Sequence, residues 1–173
     1  MIDLACITKS TKVLDVAAGA GDQSMQIADR VGPEGFVLAT DILSNILDYA
    51  SANTQSKGYS QIYFKVMDGE NLTTTPEQFD AIFSRVGLIY FPDQMKALKG
   101  ILKTLKPGGW FSAIVYSTTE NNVFSIQVWI IRKAAQLPPR PKANLDRSVL
   151  ANPVFWPIYF TTQAFEIYVK KSY

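Results

Sequence analysis

The strongest constraint on this chain is the order of patterns in residues 13–42, VLDVAAGAGDQSMQIADRVGPEGFVLATDI. A short apolar run is followed by a glycine-containing turn, a helical pattern and a second apolar run that ends in an acid. This order predicts two parallel strands joined by a helix, because parallel strands need a long crossover connection. The glycine turn is also typical of many nucleotide-binding folds.

The same alternation continues as far as residue 137. It predicts an α/β, Rossmann-like, doubly wound fold whose mostly parallel sheet has the strand order 3-2-1-4-5. The predicted strands are 12–17, 35–41, 61–66, 79–84 and 110–117. Helices are expected at 22–31, over 43–50, between Pro92 and the Pro-Gly-Gly at 107–109, and at 122–137.

Composition narrows the classes of function. Of the 173 residues, 47% are hydrophobic and 18% are charged, which suits one folded domain. A formal net charge of +2 is too small to indicate binding to nucleic acid or to a membrane surface. The single cysteine favours a cytoplasmic protein, and no apolar run is long enough to predict a membrane span. Without histidine there is no histidine base, triad or metal ligand, and we expect no metal dependence.

Acidic residues are spaced around the glycine turn. Gly19 and Gly21 let a ligand approach the main chain, and Asp41 can accept both hydroxyls of a ribose. These features suit a nicotinamide dinucleotide and also an adenosyl group. Asp15 and Asp68 favour the adenosyl group. Asp15 can help to orient the turn and can face an ammonium group, whereas a pyrophosphate prefers neutral or basic surroundings. Asp68 can accept from an adenine amine, and Gly69 would make room for the close approach of adenine.

Four motifs then occur in the order of a known family. VLDVAAGAG, ATDI, MDGENL and LKPGGWF follow one another along the chain. With them, residues 13–117 resemble class I S-adenosylmethionine-dependent methyltransferases. The stretch FDAIFSRVGLIYFPDQMKALKGILKTLKPGG is similar to the small-molecule branch typified by ubiquinone/menaquinone C-methyltransferases. The resemblance implies S-adenosyl-L-methionine as cofactor and a small organic acceptor.

The resemblance also implies roles for individual residues. Positions 17–21 would bound the methionine and ribose parts of the cofactor, positions 41–42 its ribose and adenine, and positions 68–69 the adenine edge. Position 84 would lie near the methionine part. The cofactor-binding residues expected in this way are Asp15, Ala17, Gly19, Gly21, Asp41, Ile42, Asp68, Gly69 and Ser84.

Both ends of the chain look shortened beside that family. We expect residues 1–137 to form the cofactor-binding core, and residues 138–173 to be a Pro-rich linker and an aromatic tail that packs on the core or on a partner subunit. The terminal antiparallel hairpin of the family is expected to be reduced or missing. The edge of strand five would then need another cover. Either the tail adds one short strand beside strand five, or the edge and the tail bury against a second copy, and we favour the homodimer.

Three functions remain open from the sequence. The first is methyl transfer to a small acceptor, at carbon or oxygen. The second is a truncated methyltransferase core that binds cofactor without turnover. The third is an NAD(P)-binding oxidoreductase domain, which is disfavoured because Ser24 stands where the dinucleotide fingerprint has glycine or alanine. No catalytic base is identified, although Tyr90 and Tyr116 are candidates by position.

Overall fold

The computed structural model describes residues 1–115, 123–136 and 165–171. Strands and helices alternate along most of this part of the chain. The strands are Lys12–Val16 (β1), Phe36–Asp41 (β2), Ile62–Val66 (β3), Phe79–Arg85 (β4), Leu105–Val115 (β5) and Phe165–Lys170 (β6). The helices are Asp22–Val31 (α1), Ser44–Ser56 (α2), Gln94–Thr104 (α3) and Val123–Ala134 (α4), with 3-10 helices at Asp3–Ala5 and Gly87–Tyr90.

Strands β1 to β5 form a parallel array in the order β3-β2-β1-β4-β5. This confirms the predicted fold class and strand order. Leu14 in β1 pairs with Leu38 on one side and with Ile82 on the other, so the strands are in close register. The winding direction changes between β1 and β4. Sheets of this kind bind ligands at the carboxyl ends of the strands beside such a change.

A sixth strand, β6, covers the outer edge of β5 in the antiparallel direction, with Trp110 opposite Lys170 and Val115 opposite Phe165. The terminal hairpin is thus reduced to one strand among the described residues. Of the two outcomes expected for the β5 edge, a short strand added by the tail is confirmed. The favoured outcome, burial of this edge against a second copy, is wrong, because β6 pairs with the edge. The sequence carried a signal for β6, since FEIYVK is rich in aromatic and β-branched residues.

The rest of the predicted tail lies outside the described residues. Residues 137–164 and 172–173 lie outside the described residues, and so do residues 116–122. The proposed linker and most of the aromatic tail residues fall in these ranges. The structure therefore places only the segment 165–171 of the tail on the core.

The boundary between α3 and β5 lies earlier than the sequence predicts. We expected the helix to reach the Pro-Gly-Gly at 107–109, but α3 ends at Thr104 and Leu105 already pairs with β4. Residues 106–109 then bulge before regular pairing resumes at Trp110. The bulge is held by the residue that follows β6, since Gly108 N–H donates to the Lys171 carbonyl at 2.9 Å.

Apolar side chains on the two faces of the sheet bury against different helices. Leu14 and Val16 pack in a cluster with Ile101 of α3, whereas Val13 packs in a cluster with Ala28 of α1. This division follows from the alternation of side chains along a strand, and it fixes a rigid support for the loops. Within the described ranges, none of the helices combines the length and apolar character needed to cross a membrane.

Candidate cofactor site

The loops that follow β1, β2 and β3 are joined by main-chain hydrogen bonds at the carboxyl edge of the sheet. Ala18 N–H donates to the Thr40 carbonyl at 2.9 Å, and Met67 N–H donates to the Asp41 carbonyl at 2.9 Å. These bonds fix the three loops relative to one another. The predicted site residues lie at or near this edge, on or beside these loops and at the end of β4.

The turn between β1 and α1 contains three residues in the left-handed region. Ala17, Gly19 and Gly21 have φ angles of +59°, +56° and +83°. Glycine adopts this conformation freely, whereas alanine loses about 1–2 kcal/mol there. Such strain persists only where the surrounding structure holds it, and it is concentrated at ligand sites.

The two glycines of the turn serve different purposes. A Cβ on Gly21 would lie 3.2 Å from the Cβ of Ala50, so this glycine lets α1 approach α2. Among the described residues, a Cβ on Gly19 would meet only the Cδ1 of Ile46, at 3.9 Å. The main chain at Gly19 therefore has free space beside it for a ligand.

Asp41, at the end of β2, is bound to this turn. One carboxylate oxygen accepts Gly19 N–H at 3.0 Å, and the other accepts Leu43 N–H at 3.1 Å. A carboxylate has about four acceptor positions, so each oxygen keeps one position that no described residue occupies. The side chain is half-buried and can therefore accept from two neighbouring hydroxyl groups.

An apolar surface adjoins this carboxylate. Ile42 is 65% exposed and Leu43 is 56% exposed, although both directly follow a strand of the buried sheet. Exposed apolar side chains next to a polar anchoring group are typical of a surface that a flat ring covers. Ile42 is thus accessible to a ligand, and its contact with adenine stays a prediction.

Asp15 is completely buried beneath the turn. Its carboxylate accepts from Gln23 Nε2 at 2.8 Å and from Ser24 Oγ at 2.6 Å. Burial raises the pKa of Asp15 from 3.8 to about 6, against the lowering effect of these hydrogen bonds and of the Arg85 charge. We expected Asp15 to orient the turn and to face an ammonium group. Its bonds to the first helical turn of α1 perform the first task, and it has no exposed surface for the second.

The loop after β3 is folded on itself. Asp68 accepts from Glu70 N–H at 2.9 Å and from the Asn71 side-chain amide, and these bonds lower the pKa of Asp68. A Cβ on Gly69 would lie 2.4 Å from Cζ of Phe91. We expected Gly69 to make room for adenine, but the space beside its Cα is filled by the Phe91 ring. Contact of positions 68–69 with adenine stays a prediction.

The end of β4 carries a hydroxyl and a cation. Ser84 is 0% exposed, and its Oγ has no hydrogen-bond partner among the described residues. A buried hydroxyl without a partner calls for a physical reason, and a ligand that bonds to it would supply one. Arg85 is exposed and forms no salt bridge within the described residues. Tyr90 is 74% exposed, and Tyr116 lies outside the described residues.

A model of a known protein family covers residues 1–136, and its description is the ubiE/COQ5 methyltransferase family. The chain belongs to this family. The ubiquinone/menaquinone biosynthesis C-methyltransferase UbiE of Pseudomonas aeruginosa is 31% identical over 125 residues, which are 72% of this chain and 49% of that protein. The protein of the same name from Methylococcus capsulatus is 31% identical over 79% of this chain and 52% of its own length. The chain thus spans about half the length of the curated relatives it matches.

Solved structures show the same fold as this family member. A SAM-dependent methyltransferase from Aquifex aeolicus has a TM-score of 0.75 at 16% identity, with 98% of this chain and 86% of that chain covered. A putative S-adenosyl-L-methionine-dependent methyltransferase from Methanococcus maripaludis has a TM-score of 0.74 at 20% identity, with 99% and 82% covered.

Sequence reasoning missed two residues that shape the site in this ubiE/COQ5 family member. Phe91 fills the space beside Gly69. Gly87 leaves room for the Cβ of Ala17, because a Cβ at position 87 would lie only 2.6 Å from it. A glycine soon after a strand was a visible signal for Gly87. Nothing local in the sequence predicts that Phe91 reaches a loop 22 positions earlier.

Proposed function

We propose that this member of the ubiE/COQ5 methyltransferase family transfers a methyl group from S-adenosyl-L-methionine to a small organic acceptor, at carbon or oxygen. The observation that carries the proposal is the bond between Asp41 and Gly19 at the change in winding direction. It joins the glycine turn to a carboxylate that keeps free acceptor positions for two ribose hydroxyls. Family membership supports the class of reaction, and the names of the two curated relatives favour carbon as the accepting atom.

The residues at this edge fit the cofactor. The left-handed turn offers main-chain groups, the Asp41 carboxylate suits a ribose, and exposed Ile42 suits a purine ring. The Ser84 hydroxyl is buried without a partner and offers a hydrogen bond to the methionine part. The residues that would hold or border the cofactor are Asp15, Ala17, Gly19, Gly21, Asp41, Ile42, Asp68, Gly69 and Ser84, with Asp15 acting from beneath the turn.

The chemistry of methyl transfer places few demands on protein side chains. The bound cofactor supplies a methyl group on a positively charged sulfur. The chain itself contributes proximity and orientation, by holding the cofactor rigidly on loops that are hydrogen-bonded to one another. An acceptor that must lose a proton needs a base, and Tyr90 is an exposed candidate beside the site, but we assign no catalytic residue.

Two alternatives are separated by experiment. A cofactor-binding core without turnover would bind S-adenosylhomocysteine and transfer no methyl group. An NAD(P)-binding oxidoreductase domain would bind a dinucleotide instead. The second alternative is disfavoured by family membership and by Ser24. A dinucleotide-binding fold has a small residue at this position for close packing, whereas the Ser24 hydroxyl donates a hydrogen bond to Asp15.

The test is transfer of a labelled methyl group from S-adenosyl-L-methionine to a panel of quinols, phenols and enols. We expect a labelled product with the parent chain and a strong loss with Asp41→Ala. Asp48→Ala is the matched control, because Asp48 is an exposed acid on α2. Binding of S-adenosylhomocysteine without any labelled product would leave the non-catalytic alternative.

We propose a small-molecule acceptor in preference to nucleic acid, since the net charge is only +2. A cytoplasmic location is proposed from the single cysteine. Dimerisation stays a prediction that depends on the tail, because the β5 edge is already covered by β6. Light scattering of the purified chain tests it, and a monomer at high concentration would contradict it.

A further inference from the structure

One segment contacts both sides of the proposed cofactor cleft. This segment comprises residues 86–91, between β4 and α3, and contains the 3-10 helix Gly87–Tyr90. At its start it lies against the glycine turn after β1. At its end it lies against the loop after β3. We refer to it as the 86–91 segment.

The first contact is between Gly87 and Ala17. A Cβ at position 87 would lie 2.6 Å from the Cβ of Ala17 and 2.8 Å from Oγ of Ser84. Both distances are shorter than carbon and oxygen atoms tolerate without a shift. The absence of a side chain at Gly87 therefore makes room for the Cβ of Ala17. Ala17 is the strained residue of the turn, with a φ of +59°.

The second contact is between Phe91 and Gly69. A Cβ at position 69 would lie 2.4 Å from Cζ and 2.9 Å from Cε2 of Phe91. A hydrogen bond reinforces this junction, since Asp93 N–H donates to Oε1 of Glu70 at 2.8 Å. The loop after β3 is thus held by the residues that lead into α3.

The segment itself is fixed between these contacts. Val86 has a φ of +66°, which is unusual for a β-branched residue, and its N–H donates to the Ile114 carbonyl at 2.8 Å. Gln94 Nε2 also donates to the Leu88 carbonyl at 3.0 Å. A strained, doubly anchored segment has little freedom to follow a displaced loop.

We infer that Gly87 and Phe91 are positioning residues, which set the separation of the glycine turn and the loop after β3 through the 86–91 segment. The inference rests on the proposed function, because it assigns the cofactor to this cleft. Its consequence is that cofactor affinity depends on two residues that need not touch the cofactor. Tyr90 is exposed on the same segment, so its position would depend on the positions of both loops.

Two reciprocal pairs of variants test the inference. Gly87→Ala brings its new Cβ against Ala17, and the double variant with Ala17→Gly removes one of the two close contacts. Gly69→Ala brings its Cβ against Phe91, and the double variant with Phe91→Ala removes the ring. Each single glycine variant should weaken S-adenosylhomocysteine binding about tenfold, and each double variant should regain a large part of the loss.

Two measurements are needed on each variant. Calorimetry gives the affinity for S-adenosylhomocysteine, and hydrogen exchange of the ligand-free chain gives the protection of residues 18–21 and 69–71. Gly58→Ala is the control for destabilisation alone, because Gly58 has a φ of +82° and no atom of the described part of the chain lies within 4 Å of an added Cβ. It should lower the melting temperature without changing affinity or exchange at either loop.

The outcomes separate the inference from the proposed function. Lower affinity and faster exchange at the matching loop, both recovered in the double variant, support positioning. If the glycine variants have a lower melting temperature but keep the affinity and the loop exchange of the parent, Gly87 and Phe91 are ordinary packing residues and the inference is wrong. If the parent binds no S-adenosylhomocysteine, the proposed function fails, and the exchange pattern alone decides whether the segment positions the loops.

Discussion

The buried carboxylate of Asp15 predicts an unusual dependence of stability on pH. Its pKa is 3.8 in the unfolded chain and about 6 in the folded chain, chiefly because burial penalises the charged form. The folded state therefore binds the proton more tightly than the unfolded state does. Stability contributed by this site is fully present well below the unfolded pKa of 3.8 and is lost as the pH rises through about 6.

The size of the effect follows from the two pKa values. The difference between 3.8 and about 6 corresponds to about 3 kcal/mol, which the folded state loses when Asp15 ionises. Asp15→Asn removes the charge and keeps the shape. Its amide oxygen can still accept from Ser24 Oγ. Its amide nitrogen can donate to Oε1 of Gln23 once the Gln23 amide turns over, because Oε1 is buried and has no partner among the described residues. The variant should therefore lose this pH dependence.

The assay is urea unfolding of the parent and of Asp15→Asn at intervals from pH 4 to pH 8. We expect the stability of the variant relative to the parent to rise by about 2 kcal/mol between pH 4 and pH 7, which is most of the full difference, and then to stay level. Asp22→Asn removes an exposed acid from the same end of α1 and serves as the control. A difference between parent and Asp15→Asn that is constant across this range would refute the reasoning.

Two further substitutions test how the supports of the site are built. Asp93→Ala removes the side chain that accepts Lys96 N–H at 2.9 Å and caps α3, and should cost about 1 kcal/mol in chemical unfolding, whereas Asp93→Asn should retain most of that stability. Gly21→Ala combines an unfavourable φ of +83° with a 3.2 Å contact to Ala50, and should cost about 2 kcal/mol or more. Gly58→Ala shares the φ without the contact and should cost less; an equal cost would show that the approach of α1 to α2 contributes nothing.

The parallel part of the fold was predictable because its signals are local. Each of the first four strands is a short apolar run that ends at a polar or glycine-rich loop, and the helices between them carry apolar stripes. The end of α3 was predicted too late. The reason lies outside the local pattern, since Leu105 is drawn into pairing with β4 and the following bulge is bonded to Lys171.

The candidate site was predictable as a set of loops but not as a set of contacts. Asp41 lies at the end of its strand as expected, and its carboxylate binds the glycine turn. Asp15 was expected to reach a ligand, but alternation along β1 directs it beneath the turn, where Gln23 and Ser24 enclose it. The contact of Phe91 with Gly69 joins two loops that are distant in sequence, and only the packed structure reveals it.

The central claim is that the Asp41 carboxylate and the glycine turn bind an adenosyl cofactor. It is tested most directly by calorimetric titration of S-adenosylhomocysteine and of NAD into the parent, Asp41→Ala and Asp48→Ala. We expect the parent and Asp48→Ala to bind S-adenosylhomocysteine alike and NAD not at all. Asp41→Ala should lose about 1.5–3 kcal/mol of binding free energy, because charge-assisted hydrogen bonds to the ribose and the bond to Gly19 disappear together. Undiminished binding by Asp41→Ala, or binding of NAD in place of S-adenosylhomocysteine, would contradict the claim.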